Sequence, residues 1–252
     1  MKKLPLLILV ISLIVIWEML SYFDLIPISL FPPPHLVLAA LKESPAEWRT
    51  ALFESTMASV LGLSISLVLG ILFAFLFSLS ANLKNAFLPL AVFFQTVPII
   101  AIAPLLVIYF GFGIPTVIAA SAIVSFFPVL ASFLLGLENV EKEKLELFKL
   151  YEASRWQTLL KLRLPSAFLS LYSGLKVAVG LSIIGTVAGE FVAGGGLGAI
   201  IDAARTQQRV DRVFASLLLL AVIGIAGLSL LKLIFKMIHR LKPLGSNSEE
   251  FT

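Results

Sequence analysis

Cysteine is absent from the 252 residues of this chain, and histidine occurs only twice, as His35 and His239. Without a thiol the chain can form no disulfide, thiolate metal site or cysteine nucleophile. Two histidines at distant positions predict neither a metal cluster nor a catalytic triad. The Gly-x-x-x-x-Gly-Lys-Ser/Thr phosphate loop is also missing, so we expect that the chain does not hydrolyse ATP.

Charged residues are scarce too, at 13% of the chain, whereas 59% of the residues are hydrophobic. The apolar residues form long blocks, and a helix needs about 20 of them to cross a hydrocarbon core of roughly 30 Å. Barrel strands would instead show about ten alternating residues each. The sequence predicts an all-α integral membrane protein with about six transmembrane helices, at Leu4 to Phe23, Thr56 to Leu79, Ala86 to Phe110, Thr116 to Leu137, Leu164 to Gly189 and Val213 to Leu231.

The positions of lysine and arginine predict how these helices are oriented. With the N-terminus inside, thirteen basic residues lie on the cytoplasmic side and five on the outer side, and cytoplasmic loops are the ones enriched in Lys and Arg. Both termini are therefore expected on the cytoplasmic side of the membrane. The basic residues flank apolar blocks rather than sharing one surface, so the net charge of +4 does not indicate a nucleic-acid partner.

Three further segments carry local signals. The first apolar block is not followed by a small-x-small cleavage site, so we interpret it as a retained helix and not a signal peptide. In the outer connection from Asp24 to Ala51, the prolines of Phe31-Pro32-Pro33-Pro34-His35 predict an extended path without helix. Gly194-Gly195-Gly196-Leu197-Gly198 is predicted to be a flexible outer turn.

Residues 138–163 form the one densely charged stretch of the chain. Leu145, Phe148 and Tyr151 recur at intervals of three, which indicates a helix over Glu141 to Tyr151. A second short helix is expected over Ser154 to Leu162, with Ser154 as its N-cap. The result would be a cytoplasmic helical hairpin. The residues alone leave two interpretations open, a docking site for a partner and an amphipathic loop that lies on lipid headgroups.

The order of residues in this hairpin resembles the cytoplasmic loop of binding-protein-dependent ABC transporter permeases. The family pattern is Glu-Ala-Ala, three residues, Gly, nine residues and Ile-x-Leu-Pro. The aligned residues here are Glu146-Leu147-Phe148, Glu152 in the glycine place and Leu162-Arg163-Leu164-Pro165. Within that family, the subgroup of nitrate, sulfonate, taurine and thiamine-precursor permeases typically has Ala-Ser-Arg-Trp after the glycine. Ala153-Ser154-Arg155-Trp156 resembles this element.

Similarity to that subgroup extends over roughly residues 30–230. The other matching elements, in chain order, are Phe31-Pro32-Pro33-Pro34, Gln95-Thr96-Val97-Pro98, Pro104-Leu105, Gly111-Phe112-Gly113, Phe126-Phe127-Pro128, Gly136-Leu137, Gly174-Leu175-Lys176-Val177-Ala178, Ala188-Gly189-Glu190 and Gly196-Leu197-Gly198.

The resemblance implies a MetI-like ABC permease fold and a function as the membrane subunit of an ATP-driven importer for a small solute of the sulfonate, nitrate or vitamin-precursor class. It implies a homodimer, two ABC ATP-binding subunits that hold ATP and Mg, and an external solute-binding protein, while this chain itself binds no cofactor. The hairpin would contact the ATPase through Leu145, Glu146, Phe148, Glu152, Ala153, Ser154, Arg155 and Trp156. At Glu152, where the family has glycine, a backbone φ above zero would cost on the order of 1 kcal/mol.

Ionisable and polar residues inside the predicted spans are the remaining candidates. Glu18 and Lys176 are interpreted as anchors that reach the membrane surface. Glu190 is expected either to face the translocation path or to pair with Arg205 or Arg209. Pro98 and Pro104 should kink the third helix. Gln95, Thr96, Pro98 and Ser125 are candidates for the path, although such polar residues also bond neighbouring helices.

The chain is divided into an N-terminal helix with its outer connection (1–51), a permease domain (52–240, with the coupling loop at 138–165) and a cytoplasmic tail (241–252). Gly62, Gly70, Gly180 and Gly185 are expected to let helices pack closely. The alternative function is a gradient-driven secondary transporter or channel, which would need a buried acidic or histidine relay near the membrane midplane.

Overall fold

A computed structural model describes residues 4–23 and 26–241. The described residues form helices and connecting turns with no strand. The helices are α1 (Leu4–Tyr22), α2 (Pro34–Glu43), α3 (Pro45–Leu79), α4 (Ala81–Thr96), α5 (Ile99–Phe110), α6 (Ile114–Glu138), α7 (Lys142–Leu150), α8 (Arg155–Thr158), α9 (Leu164–Ala193), α10 (Gly196–Thr206) and α11 (Val210–Leu241). The all-α fold expected from the apolar blocks is therefore confirmed. Residues 1–3, 24–25 and 242–252 lie outside the described residues, and so does the predicted tail at 241–252 apart from Leu241.

Four segments of the described chain are long and apolar enough to cross a membrane. They are Pro45–Leu79, Ile114–Glu138, the continuous stretch Arg155–Ala193 and Val210–Ile238. Each contains one of the predicted spans. The first predicted span corresponds to α1, which has 19 residues.

The third predicted span is two helices rather than one kinked helix. Helix α4 ends at Thr96 and α5 begins at Ile99, while Val97 has an extended backbone with φ −78° and ψ 125°. Proline disfavours the helical conformation in the residue before it and offers no N–H to the preceding turn. Pro98 therefore breaks the helix, whereas Pro104 and Pro89 lie inside helices.

The prediction of an extended outer connection without helix is wrong from Pro34 onward. Pro33 is extended, with φ −65° and ψ 154°, but Pro34 opens α2 and Pro45 opens α3, eleven residues before the predicted start of that span. Proline suits the first helical position because that N–H would have no partner within the helix. These prolines therefore start helices instead of preventing them.

Helices α3, α6 and α9 pack side by side and form the core. Its largest buried cluster includes Val129, Leu130, Leu137 and Leu175. Close packing is possible because a Cβ at Gly62, Gly70 or Gly185 would overlap atoms of α6. The packing role predicted for these three glycines is confirmed. It is wrong for Gly180, where a Cβ would meet nothing within 4 Å.

The end of the molecule that is predicted to face outward is held together by ion pairs between distant segments. Arg209 forms hydrogen bonds of 2.7–3.2 Å to Asp211 and of 2.8–2.9 Å to Glu43. These carboxylates, Asp211 first, raise the pKa of Arg209 further above its ordinary value. Arg212 contacts Glu47 at 2.6 Å. The start of α11 is thereby tied to α2 and α3.

Candidate functional site

The charged stretch folds as the predicted hairpin of α7 and α8. Ser154 caps α8, because its hydroxyl accepts a hydrogen bond from the Gln157 N–H at 3.2 Å. The Gln157 side chain accepts one from the Ser154 N–H at 2.8 Å. This reciprocal capping box satisfies two N–H groups that the helix itself cannot pair. The predicted N-cap is confirmed, although α8 ends at Thr158 and a π-helical segment, Leu159–Arg163, follows.

Glu152 adopts the conformation for which the aligned family position uses glycine. Its φ is +50°. The Ala153 N–H donates to the Phe148 carbonyl and the Glu152 N–H to the Lys149 carbonyl, each at 3.0 Å. This pair of bonds is the Schellman ending of a helix, which places one residue in the left-handed region. The turn geometry is retained despite the glutamate.

The hairpin exposes a different apolar surface from the one the periodicity suggested. Leu145 and Phe148 are half-buried, while Leu150 is 81% exposed, Tyr151 78% and Trp156 57%. Leu147 is exposed as well. Apolar side chains left in water at such density mark a contact surface. Leu147 and Leu150 lie off the face that the spacing of Leu145, Phe148 and Tyr151 indicated, and none of Leu147, Leu150 and Tyr151 was among the predicted contacts.

The polar residues of the hairpin also face solvent. Glu146, Glu152, Ser154 and Arg155 are exposed, and Ala153 is half-buried in the turn. The hairpin therefore presents both charges and apolar side chains outward. An exposed ion pair of 2.7 Å, Lys84 with Glu138, joins the start of α4 to the end of α6 close to the hairpin.

The hairpin runs without a break into the core. Arg155–Ala193 is a continuous helical stretch, with the π-helical segment between α8 and α9. Leu159, at the start of that segment, is buried in the main core cluster. The Trp156 ring lies 6.2 Å from the Phe75 ring of α3. Helix α8 is therefore continuous with α9 and adjoins α3.

The polar candidates for a translocation path fall into two groups. Gln95 and Thr96 are exposed in the last turn of α4, and Pro98 is exposed at the break before α5. Ser125 is buried and bonded between helices, since its hydroxyl donates to the Ser121 carbonyl and lies 2.7 Å from the Ser66 hydroxyl. Ser125 therefore holds α3 against α6, which is the alternative role considered for it.

Glu190 is 2% exposed and pairs with neither arginine proposed for it. Arg205 bonds to Asp202, and Arg209 bonds to Glu43 and Asp211. One oxygen of Glu190 instead accepts from the Ser55 hydroxyl at 2.6 Å, and the other from the Gly198 N–H at 2.7 Å. The contact between Ser55 and Glu190 could not be predicted from the sequence, because 135 residues separate the two.

These contacts cap the start of α10 with side chains from two other helices. The Gly196 N–H donates to Glu54 at 2.8 Å, and the Leu197 N–H donates to the Ser55 hydroxyl at 2.9 Å. A Cβ at Gly196 would overlap the Glu190 carboxylate. The glycine segment is therefore an ordered turn, not the flexible one expected. A cavity of about 310 Å³ beside it is lined by Glu54, Glu190, Phe112 and Val117 among others.

The two other intramembrane charges differ in their surroundings. Oε1 of Glu18 lies 2.5 Å from Nδ1 of His35, which links α1 to α2. Lys176 lies over the Tyr172 ring, with Nζ 4.3 Å from its centroid. No group of three His, Asp or Glu side chains suited to a metal ion occurs in the part of the chain that the structure describes.

Residues 66–241 match the family described as the binding-protein-dependent transport system inner membrane component. The chain is 37% identical over 218 residues to a probable ABC transporter permease protein of Haemophilus influenzae, which covers 84% of this chain and 87% of that protein. It is 34% identical over 221 residues to the formylaminopyrimidine transport permease protein of Halalkalibacterium halodurans, with coverage of 87% and 88%.

Among solved structures, the fold is similar to an inward-facing MetNI methionine ABC transporter. The TM-score is 0.61 at 16% identity, and the match covers 73% of this chain and 94% of the other. At this identity the likeness establishes the fold alone.

Proposed function

The chain belongs to the family of inner membrane components of binding-protein-dependent transport systems, and from that premise we propose how this permease subunit is coupled to its ATPase. The α7–α8 hairpin docks on the ATP-binding subunit in the cytoplasm. Both termini of the chain lie on the same side of the membrane as the hairpin. The contact uses the exposed Leu150, Tyr151 and Trp156 as apolar anchors. The charges around them, Glu146 and Arg155, set the register of docking.

The observation that carries this proposal is the continuity of α8 with α9. ATP binding draws two ATPase subunits together, and a hairpin held by each moves with it. Because α8 enters α9 without a break, the movement reaches the packed helices α3, α6 and α9 as a rigid displacement. Rigid-body rearrangement of packed helices is an established route to alternating access.

The complete transporter is proposed to contain two copies of this chain, two ATP-binding subunits and an external solute-binding protein. ATP and Mg are bound by the ATPase subunits, and this chain has no ATPase site of its own. Large apolar side chains such as Ile108, Tyr109 and Phe112 are exposed around α5. This surface is available to a second copy or to lipid. Gln95, Thr96 and Pro98, at the break between α4 and α5, face the path between the copies.

The solute is proposed to be small and of the sulfonate, nitrate or vitamin-precursor class. The formylaminopyrimidine permease that the chain resembles supports the last of these. The test is to purify the solute-binding protein and identify its ligand by mass spectrometry. A peptide or an oligosaccharide in the binding site would contradict the proposed class.

Copurification tests the coupling site. The tagged chain is expressed with its ATP-binding subunit and extracted in detergent. Tyr151→Ser removes an apolar anchor and Glu146→Lys reverses a charge that sets the register, and each should lower the amount of ATPase recovered by about tenfold. Lys142→Gln, at the far end of α7, is the matched control and should leave recovery unchanged. Undiminished recovery in both variants, or no ATPase with the native chain, would contradict docking by this hairpin.

A further inference from the structure

Lys176 lies at the centre of the membrane-spanning part of α9. It follows Arg163 by thirteen residues and precedes Glu190 by fourteen, and no other Asp, Glu, Lys or Arg occurs between those two. At 1.5 Å of rise per residue, Lys176 is about 20 Å from either charged end. A lysine side chain spans only about a third of that distance. The expectation that Lys176 reaches the membrane surface is therefore wrong.

The face of α9 that carries Lys176 is open. Ser173, Val177 and Gly180 lie within one turn of it and are exposed, and Gly180 leaves free space beside the helix. The opposite face, which includes Gly174 and Ala178, is buried in the core. We call the surface of Ser173, Lys176, Val177 and Gly180 the Lys176 face.

The charge of Lys176 is not neutralised by a carboxylate. Among the described residues no ion pair includes Lys176, and its contact is the Tyr172 ring. The two acidic residues predicted inside the membrane are engaged elsewhere. Glu190 is held by Ser55 and Gly198, and Glu18 lies against His35.

An ammonium group at this depth is strongly unfavourable in hydrocarbon. Ionisable residues in membrane helices accordingly face a protein interior or a water-filled cavity. The Lys176 face is open within one chain, so in the assembled transporter it must meet water or a second copy. A pair of uncompensated positive charges, one on each copy, would attract anions and repel cations from the space between them.

We propose that the Lys176 face lines the aqueous translocation path and that Lys176 binds the negatively charged group of the transported solute. The inference rests on the proposed function, because the path is formed only between two copies of the permease. The hydroxyl of Ser173 and the space beside Gly180 complete a site for a small carboxylate, sulfonate or similar anion. Among the solute classes proposed above, this site favours an anion such as a sulfonate or nitrate over an uncharged vitamin precursor.

The absence of cysteine from these 252 residues makes a direct test possible in the whole chain. Ser173→Cys places one thiol beside Lys176, and membrane vesicles are treated with methanethiosulfonate reagents bearing either a sulfonate or a trimethylammonium group. The same thiolate attacks either reagent, forming a mixed disulfide and releasing methanesulfinate, so the ratio of the two rates cancels any effect of Lys176 on thiol ionisation. We expect the anionic reagent to react roughly tenfold faster, relative to each reagent's rate with free cysteine.

Two further variants isolate the charge. Adding Lys176→Met to Ser173→Cys should abolish the preference for the anionic reagent, and adding Lys176→Arg should retain it. Leu13→Cys, in the middle of α1 and outside the family match at 66–241, is a control thiol that should be unreactive with both reagents. The proposal is overturned if Ser173→Cys reacts with neither reagent, or if its preference survives in Lys176→Met.

Failure of this inference is distinguishable from failure of the proposed function. Copurification of the ATP-binding subunit with the Lys176→Met chain reports on the hairpin and is expected to be unchanged. Retained copurification with an unreactive thiol at Ser173→Cys would leave the permease assignment intact and reject the anion site. Lost copurification in the native chain would reject the coupling proposal.

Discussion

At the scale of single residues, Glu152 shows that a backbone conformation suited to glycine can be kept when another residue type occupies the position. Ser154 caps the next helix and the Schellman bonds close the previous one, so the turn between them is determined from both sides. The residue in the middle must be left-handed whatever its side chain. A glutamate in this conformation is strained by about 1 kcal/mol. Its side chain is exposed, so no burial offsets that strain.

Glu152→Gly is expected to stabilise the hairpin by about 0.5–1 kcal/mol, because glycine adopts positive φ without strain but loses more backbone entropy on folding. Amide hydrogen exchange over residues 148–155 should slow about threefold. Ala153→Gly is the matched control, since Ala153 has no positive φ, and it should speed exchange instead. Faster exchange in Glu152→Gly would show that the turn is not strained.

The Glu190 cluster depends on two acceptor oxygens. In Glu190→Gln one oxygen becomes an amide donor and meets either the Gly198 N–H or the Ser55 hydroxyl. A buried donor without an acceptor costs about 1–3 kcal/mol. The midpoint of thermal unfolding in detergent should therefore fall by several degrees.

Glu54→Gln provides the comparison for that change. Glu54 is half-buried and accepts from the Gly196 N–H through one oxygen, which a glutamine carbonyl can replace. The unfolding midpoint should stay within about one degree of the native chain. Equal losses in both variants would mean that net charge, not hydrogen-bond direction, holds this cluster together.

At the scale of helices, packing of α9 on α6 relies on the absence of side chains at the contact. A Cβ at Gly174 would lie 2.8 Å from the carbonyl oxygen of Pro128, which is backbone and cannot turn away. Gly174→Ala should destabilise the chain by about 1–3 kcal/mol, even though alanine favours helix. The measurement is the unfolding midpoint in detergent.

Gly180→Ala is the matched control on the same helix. Nothing lies within 4 Å of a Cβ at that position, so only helix propensity should change, with a gain of up to about 1 kcal/mol. If Gly174→Ala were as stable as Gly180→Ala, α9 and α6 would have to be further apart than described.

At the scale of the whole molecule, coupling depends on the phase between α8 and α9. Insertion of one alanine after Thr158 would rotate α8 by about 100° relative to α9. The hairpin should still fold, because its caps are local, and should still bind the ATPase. Acceleration of ATP hydrolysis by the loaded solute-binding protein should be lost.

The control is an insertion of one alanine after Gln207, in the outer turn between α10 and α11. It tests whether a one-residue insertion at another position has the same effect. It lies on the other side of the membrane in the proposed topology and leaves the α8–α9 connection untouched. Its ATPase response should be closer to that of the native chain. A response retained after insertion at Thr158 would exclude α9 as the route of coupling.

Block length and local pattern by themselves determined that the chain is helical, where its apolar helices lie and that Ser154 begins a helix. These features depend on neighbours within a few residues, which the sequence displays directly. The placement of Lys176 midway between Arg163 and Glu190 could also have been counted from the sequence. Its exposure could not, because that depends on which face of α9 the other helices cover.

Tertiary structure alone decided the partners of Glu190 and the exposure of the Lys176 face. It also decided that the chain breaks between α4 and α5, at Val97 and Pro98, while α8 continues into α9. Ser55 reaches Glu190 across 135 residues, and no local preference encodes such a contact. A proline can lie inside a helix, break it or start it, and packing selects among these outcomes, as Pro104, Pro98 and Pro34 show. The sequence determined which segments enter the membrane, and the packing of α3, α6 and α9 decided which of their polar groups remain available for function.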